Sequence, residues 1–260
     1  MYRYLFGVEA YALVHLAALV LFCTLSVILF RRAGIGLWHA AAVGVLYVVC
    51  NLVIAKLLYD YVRGGGRHTV FDHPSFAHFV EGGFWGWPVA FFPCVLLYPL
   101  LTRVPAVPFY RAVALVLPPV FAVQKLACFA AGCCGGRETS LPWGVTFPVG
   151  SLCERPGIPL HPLQLYDAAL PLGILGVLLL VDRYGGASAR PFLLPLLIGL
   201  YAVTRLATEF LRPREGVLLL SQWFELGAAA GVIVLLTAGR GAWRAWSAFG
   251  QNGGDRTRVA

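Results

Sequence analysis

From Ala10 to Phe30 the chain runs without one charged residue, and a helix of that length, apolar on every side, has no place in a small water-soluble fold. At about 1.5 Å per residue such a helix crosses a hydrocarbon layer roughly 30 Å thick. Comparable runs recur from Trp38 to Tyr59, Trp85 to Leu101, Tyr110 to Gly132, Leu163 to Val181, Phe192 to Leu211 and Val217 to Ala238. Composition agrees: 59% of the 260 residues are hydrophobic and 12% charged, against roughly 45–50% and 25% in soluble domains. The chain therefore reads as an all-α integral membrane protein with about seven transmembrane helices. One polytopic domain covers residues 1–238, with polar loops near 60–80 and 134–162. A basic tail follows over 239–260. The first run lacks a basic stretch leading to a small-residue cleavage site, so it reads as a retained span rather than a leader.

Orientation follows from Lys and Arg placement. With the N-terminus outside, the inner set is Arg31, Arg32, Arg103, Arg111, Arg183, Arg190, Arg240, Arg244, Arg256 and Arg258. It outnumbers the outer set of Arg3, Arg63, Arg67, Arg137, Arg155, Arg212 and Arg214. Both long loops then lie outside and the C-terminus is cytoplasmic. The net charge of +8 suits an anionic membrane surface. No dense basic run interleaves with aromatics, so nucleic acid is not an expected partner.

Of the seven cysteines, Cys23, Cys50 and Cys94 fall inside apolar runs, where a thiol packs as a small hydrophobe. Cys128, Cys133, Cys134 and Cys153 leave several readings open: packing, a disulfide such as Cys134–Cys153 in an oxidising compartment, or thiol chemistry. Metal binding with His161 is conceivable, but no paired C-x-x-C ladder supports it, so no metal or other cofactor is expected. His68, His73 and His78 lie in a polar loop without a cysteine or carboxylate pattern.

Ionisable residues inside spans need a reason, because a mid-bilayer Lys or Arg costs roughly 2.5–3.5 kcal/mol on insertion scales. Lys125 and Arg205 each follow an inner arginine, Arg111 and Arg190, by nearly the same number of residues. At about 1.5 Å per residue both lie some 21–23 Å from the inner boundary. Two cations at one depth suggest an anion site. Tyr201, Arg205, Glu209 and Arg212 follow at helical spacings of four, four and three, so they share a face on which Glu209 can hold both arginines. A self-neutralising stripe between packed helices would give the same pattern. A lipid phosphate is the anion available at that depth, and arginine matches its geometry. At the outer start of the fifth span, His161-Pro-Leu-Gln164-Leu-Tyr166-Asp167 puts His161 and Gln164 three apart, where both can face one site.

Taken together these residues resemble the prolipoprotein diacylglyceryl transferase family, over roughly Glu81 to Glu225. Tyr201-x-x-x-Arg205-x-x-x-Glu209-x-x-Arg212 looks like the family's tyrosine–arginine–glutamate–arginine face. His161-Pro-Leu-Gln164-Leu-Tyr166-Asp167 looks like its His-Pro-x-Gln-Leu-Tyr-Glu segment, and Gly135-Gly136 with Trp143-Gly144 resembles the stretch after its signature. In that signature, Lys125 stands for an arginine, Cys128 and Ala131 for asparagines, and Cys133 for a glutamate. Glu81-Gly82-Gly83 stands where the family has His-Gly-Gly. A Gly-Cys-Cys-x-Gly pattern places the chain with a divergent branch.

The resemblance implies transfer of a diacylglyceryl group from phosphatidylglycerol to a cysteine thiol of a preprolipoprotein, in a bacterial inner membrane. Arg205, Arg212 and Lys125 would clamp the lipid phosphodiester, Tyr201 and Glu209 would orient the clamp, and His161 would take the thiol proton. Gln164, Gly136, Cys128 and Cys133 would complete the substrate site, or a cysteine beside Lys125 would act as nucleophile or acceptor. Two other functions fit the same residues: a non-catalytic lipid-binding paralogue, and a membrane thiol-redox protein using Cys128, Cys133 and Cys134. A transporter would need an internal repeat or paired broken helices, and no repeat is present.

Overall fold

The computed structural model describes residues 4–5, 8–50 and 91–212. Its helices are α1 (Ala10–Arg32), α2 (Leu37–Val48), α3 (Phe92–Thr102), α4 (Ala106–Ala131), α5 (Leu163–Tyr184) and α6 (Leu193–Glu209). A helical turn at Gly186–Ala189 and a tighter one at Arg190–Phe192 join α5 to α6. Two small antiparallel pairs complete the described elements: β1 (Tyr4–Leu5) with β2 (Val8–Glu9), and β3 (Val145–Thr146) with β4 (Pro159–Leu160).

Four helical segments are long and apolar enough to cross a membrane: Ala10–Arg32, Ala106–Ala131, Leu163–Tyr184 and Gly186–Glu209. Exposed Leu16, Val20, Ile28, Leu172, Leu179 and Leu180 on α1 and α5 are what lipid contact requires. The apolar run expected from Tyr110 begins earlier, at Ala106. Pro108 falls in the first turn, where a missing N–H costs nothing. Pro118 and Pro119 stay inside α4, as membrane helices tolerate when neighbours compensate. The second and third expected spans are seen in part, as α2 and α3. Their remainder, the seventh span, the loop near 60–80 with its histidines, Lys56, the Glu81-Gly82-Gly83 segment and the basic tail lie outside the described residues.

The described residues fall into two compact units, one containing those up to Phe22 and 113–212, the other residues 23–50 and 91–112. In the second, an aromatic cluster ties helices together. Phe109 packs on Phe30 with ring centres 5.4 Å apart and stacks on Tyr98 at 5.1 Å. The Tyr98 hydroxyl lies 2.9 Å from His39 Nδ1. In the first unit, α5 packs on α6. The stripe Leu163, Gln164, Asp167, Ala168, Pro171, Ile174 and Leu178 is buried on α5, at helical spacing. Asp167, early in α5, meets Arg205 and Thr208, late in α6, so the two helices run antiparallel.

Candidate active site

The carboxylate of Asp167 gathers three cations from two other segments. Its Oδ2 lies 3.2 Å from Lys125 Nζ on α4, 3.6 Å from Arg205 Nη1 on α6, and 3.0 Å from Arg212 Nη2 just beyond α6. Thr208 donates its hydroxyl to Asp167 Oδ1 at 2.9 Å. Glu209 stands between the arginines, 3.3 Å from Arg205 Nη2 and 2.7 Å from Arg212 Nε, as the i,i+4 and i,i+3 spacings require. Asp167, Arg205, Glu209 and Arg212 are all buried. Over these five described side chains the charges are three positive and two negative. Charges buried together in this way hold each other, since removing one partner strands the rest out of water.

Tyr201 lies one α6 turn before Arg205 and packs its ring on Phe121 of α4, centres 4.9 Å apart. With Asp167, Leu170, Pro171, Thr204 and Arg205 it lines a narrow crevice leading to the cluster. Its lining joins the buried face of α5 to the Tyr201–Arg205 stretch of α6.

The segment after α4 forms a strap over the ends of three helices. Gly132, at φ +82°, ends α4 by donating its N–H to Cys128 O and Phe129 O. Gly136 donates to His161 O at 2.9 Å, and Arg137 donates to Leu211 O at 2.8 Å. The Arg137 Nε bonds Arg212 O at 2.9 Å. Glycine is needed here: a Cβ on Gly132 would lie 2.9 Å from Ser151 Cβ, and one on Gly136 2.7 Å from His161 Cβ. Gln164, 1% exposed, secures the strap from α5 through its Nε2 and the Cys133 carbonyl. Its Oε1 has no hydrogen-bond partner among the described residues.

The same strap brings Cys128, Cys133 and Cys134 together, their sulfurs all within 4.8 Å of one another. All seven cysteines are free, Cys134 and Cys153 included, so the Cys134–Cys153 pairing is not what the structure forms. Neighbouring Cys128 and Cys133 thiols, together with the Lys125 and Arg212 charges, hold the Cys134 thiol well below its ordinary value. The Cys133 thiol is pushed up by Cys128 and Cys134 and by burial.

Thus Lys125, Arg205, Glu209 and Arg212 converge and Tyr201 lines the crevice beside them, while Gly136 and Cys133 belong to the strap, Cys128 faces it from the end of α4 and Gln164 holds it from α5. The contact of His161 is different from one shared with Gln164. Its Nδ1 lies 3.5 Å from the Tyr166 hydroxyl, which also accepts from Trp143 Nε1 at 2.8 Å. In the sequence Asp167 is marked only as the last residue of the His161 segment, without a role, and Thr208 is not marked; the structure makes both of them partners in the cluster. An ionisable residue three positions after Gln164 at the start of a span is a signal for Asp167, but its cationic partners lie on other segments.

A family model described as prolipoprotein diacylglyceryl transferase matches residues 2–243. A phosphatidylglycerol–prolipoprotein diacylglyceryl transferase of Clostridium tetani is 30% identical over 228 residues, covering 84% of this chain and 87% of that protein. One of Ruegeria pomeroyi is 29% identical over 229 residues, covering 80% and 77%. A second such transferase of Clostridium perfringens is 34% identical over 129 residues, covering 46% and 49%. No solved structure matches the chain.

Proposed function

The chain belongs to the prolipoprotein diacylglyceryl transferase family, and from that premise we propose that it moves a diacylglyceryl group from phosphatidylglycerol to a prolipoprotein cysteine. The acceptor sulfur attacks the glyceryl carbon, the carbon–oxygen bond to phosphate breaks, and glycerol phosphate leaves with the bridging oxygen. The thiol proton passes to a base.

One observation carries the assignment of the site: Lys125, Arg205 and Arg212 meet at a single buried carboxylate oxygen of Asp167. An arrangement that presents three cations to one oxygen anion suits a phosphodiester as well. The two planar guanidinium groups match its two free oxygens. As the bond breaks, charge grows on the phosphate, and cations already fixed in place stabilise it without reorganising. Glu209 holds the arginines, Tyr201 borders the crevice, and His161 is the candidate proton acceptor, its ring placed by Tyr166. Gln164 and Gly136 position the strap.

The proposal includes seven spans, an outer N-terminus, a cytoplasmic C-terminus and residence in a bacterial inner membrane. The four long apolar segments and the arginine pairs Arg31-Arg32 and Arg183-Arg190 support it.

The test is complementation. The protein is expressed where the host transferase is depleted, and lipoprotein mass is followed. A diacylglyceryl adduct is expected from the wild type. Arg205→Ala is expected to lower transfer about 100-fold or more, the range found when one transition-state charge partner is removed. Inserted wild-type protein that yields no adduct rejects the function, and full transfer by Arg205→Ala rejects the clamp.

A further inference from the structure

The cluster of three thiols beside the cation site has no part in the clamp, yet the fold builds it with care. Cys128 lies in the last turn of α4, and the chain must then reverse within two residues to return Cys133 and Cys134 to it. The Gly132 cap at φ +82° makes the reversal, and Cys134 itself adopts φ +60°. A side chain with a Cβ seldom takes that conformation, at a cost on the order of 1–3 kcal/mol, and such strain collects where a function holds it. Close packing fixes the strap on both sides, with Gly132 against Ser151 and Phe147, and Gly135 and Gly136 against Leu160 and His161. Gln164 binds the carbonyl between the two adjacent cysteines. The outcome is three sulfurs within 4.8 Å of one another, two of them part-buried and the third exposed.

We propose that Cys128, Cys133 and Cys134 bind one zinc ion and leave its fourth position open for the thiol of the acceptor cysteine. This inference rests on the transferase reading. Zinc bound by sulfurs at about 2.3 Å places them about 3.8 Å apart in a tetrahedron, a small contraction from the observed spacing. Three protein ligands with an open position is the arrangement of catalytic rather than structural zinc. The ligand set is all sulfur, which selects a soft ion over magnesium or calcium. Three thiolates around zinc carry a single net negative charge, and Lys125 and Arg212 stand nearby to balance it.

The geometry also fits the reaction. Lys125 precedes Cys128 by three residues on the same helix, so the two residues stand about 4.5 Å apart along the axis. A thiol that coordinates zinc is deprotonated outright. Coordination would release its proton to His161 or water. The resulting sulfur nucleophile would be held beside the lipid carbon whose phosphate the cations grip. Sulfur–carbon bond formation and carbon–oxygen cleavage then proceed with no oxidant or reductant.

The experiment uses the full chain, reduced, in detergent or lipid discs, and measures bound zinc by elemental analysis after equilibration with buffered Zn2+. The wild type is expected to hold one ion per chain and to protect Cys128, Cys133 and Cys134 from alkylation while Cys153 still reacts. Cys128→Ser, Cys133→Ser and Cys134→Ser should each weaken zinc binding by more than about 100-fold, beyond the effect of outer-shell changes. Cys153→Ser should leave it intact. Thiol protection in the wild type stands even where a variant fails to fold. Absence of zinc from the reduced wild type overturns the site. With Co2+ in place of zinc, a cysteine-containing acceptor peptide should change the sulfur–metal absorption, and an unchanged spectrum overturns the open position. Equal transfer by stripped and zinc-loaded protein overturns the ion's role while the transferase reading stands. Zinc binding without transfer by either form overturns both that role and the reading beneath it.

Discussion

Asp167 is the residue on which the site turns. Its carboxylate is shared by Lys125, Arg205 and Arg212 and takes the Thr208 hydroxyl. Asp167→Asn keeps the shape and removes the charge, leaving three clustered cations with one carboxylate, Glu209, among these side chains. A loss of about 3–5 kcal/mol is expected, as when a buried ion pair loses one member. Unfolding followed in detergent would show it, and an unchanged midpoint would contradict the role given to Asp167. A second residue-scale outcome concerns Cys134, whose thiol is held well below its ordinary 9.0. The sign is that of a thiolate favoured by folding: as pH falls below 9.0, Cys134 stays ionised in the folded protein after the unfolded chain has protonated. In metal-free reduced protein its alkylation should therefore persist to lower pH than in denaturant, and coincident pH profiles would refute it. The Arg205–Glu209–Arg212 ladder was legible in the sequence because its members are helical neighbours. Asp167 was not, because its partners come from α4 and α6, and no spacing along one segment reveals a contact between segments.

At the level of elements, apolar length located the helices well, and the described spans depart from the sequence reading chiefly at their ends. Ala106 rather than Tyr110 opens α4, since proline is at home in a first turn. The strap from Gly132 to Arg137 was much less legible. Gly135 and Gly136 were legible only through family resemblance, Gly136 as a substrate-site residue, whereas the structure makes Gly132, Gly135 and Gly136 close contact surfaces. Gly136→Ala would press a methyl to 2.7 Å from His161 Cβ and 3.0 Å from the His161 carbonyl oxygen. Overpacking of this kind costs about 1–3 kcal/mol, and here it also shifts His161, so both stability and transfer should fall. Gly173→Ala in α5 meets nothing within 4 Å and should leave both intact. Equal behaviour of the two variants would show that the strap does not need its close approach.

For the molecule as a whole, the proposed topology predicts that reporter fusions after Arg32 and Arg183 are active only on the cytoplasmic side, and one after Gly150 only on the outer side. Reversed signals would invert the membrane orientation and put the Asp167 cluster near the wrong leaflet. Whole-molecule class was the plainest message of the sequence, since exclusion of charge from long runs is a property of the solvent the chain must meet. The proposed clamp has one further consequence. Its cations already own an anion in Asp167, so lipid binding there is an exchange, in which an incoming phosphodiester competes with a tethered carboxylate that never leaves. Grip on the lipid is set by the difference between two anions rather than by the full pull of three cations. When the reaction ends, the same carboxylate is waiting to reclaim its partners and push glycerol phosphate out. A resident rival thus trades tightness for turnover, which suits an enzyme whose lipid substrate surrounds it at high concentration.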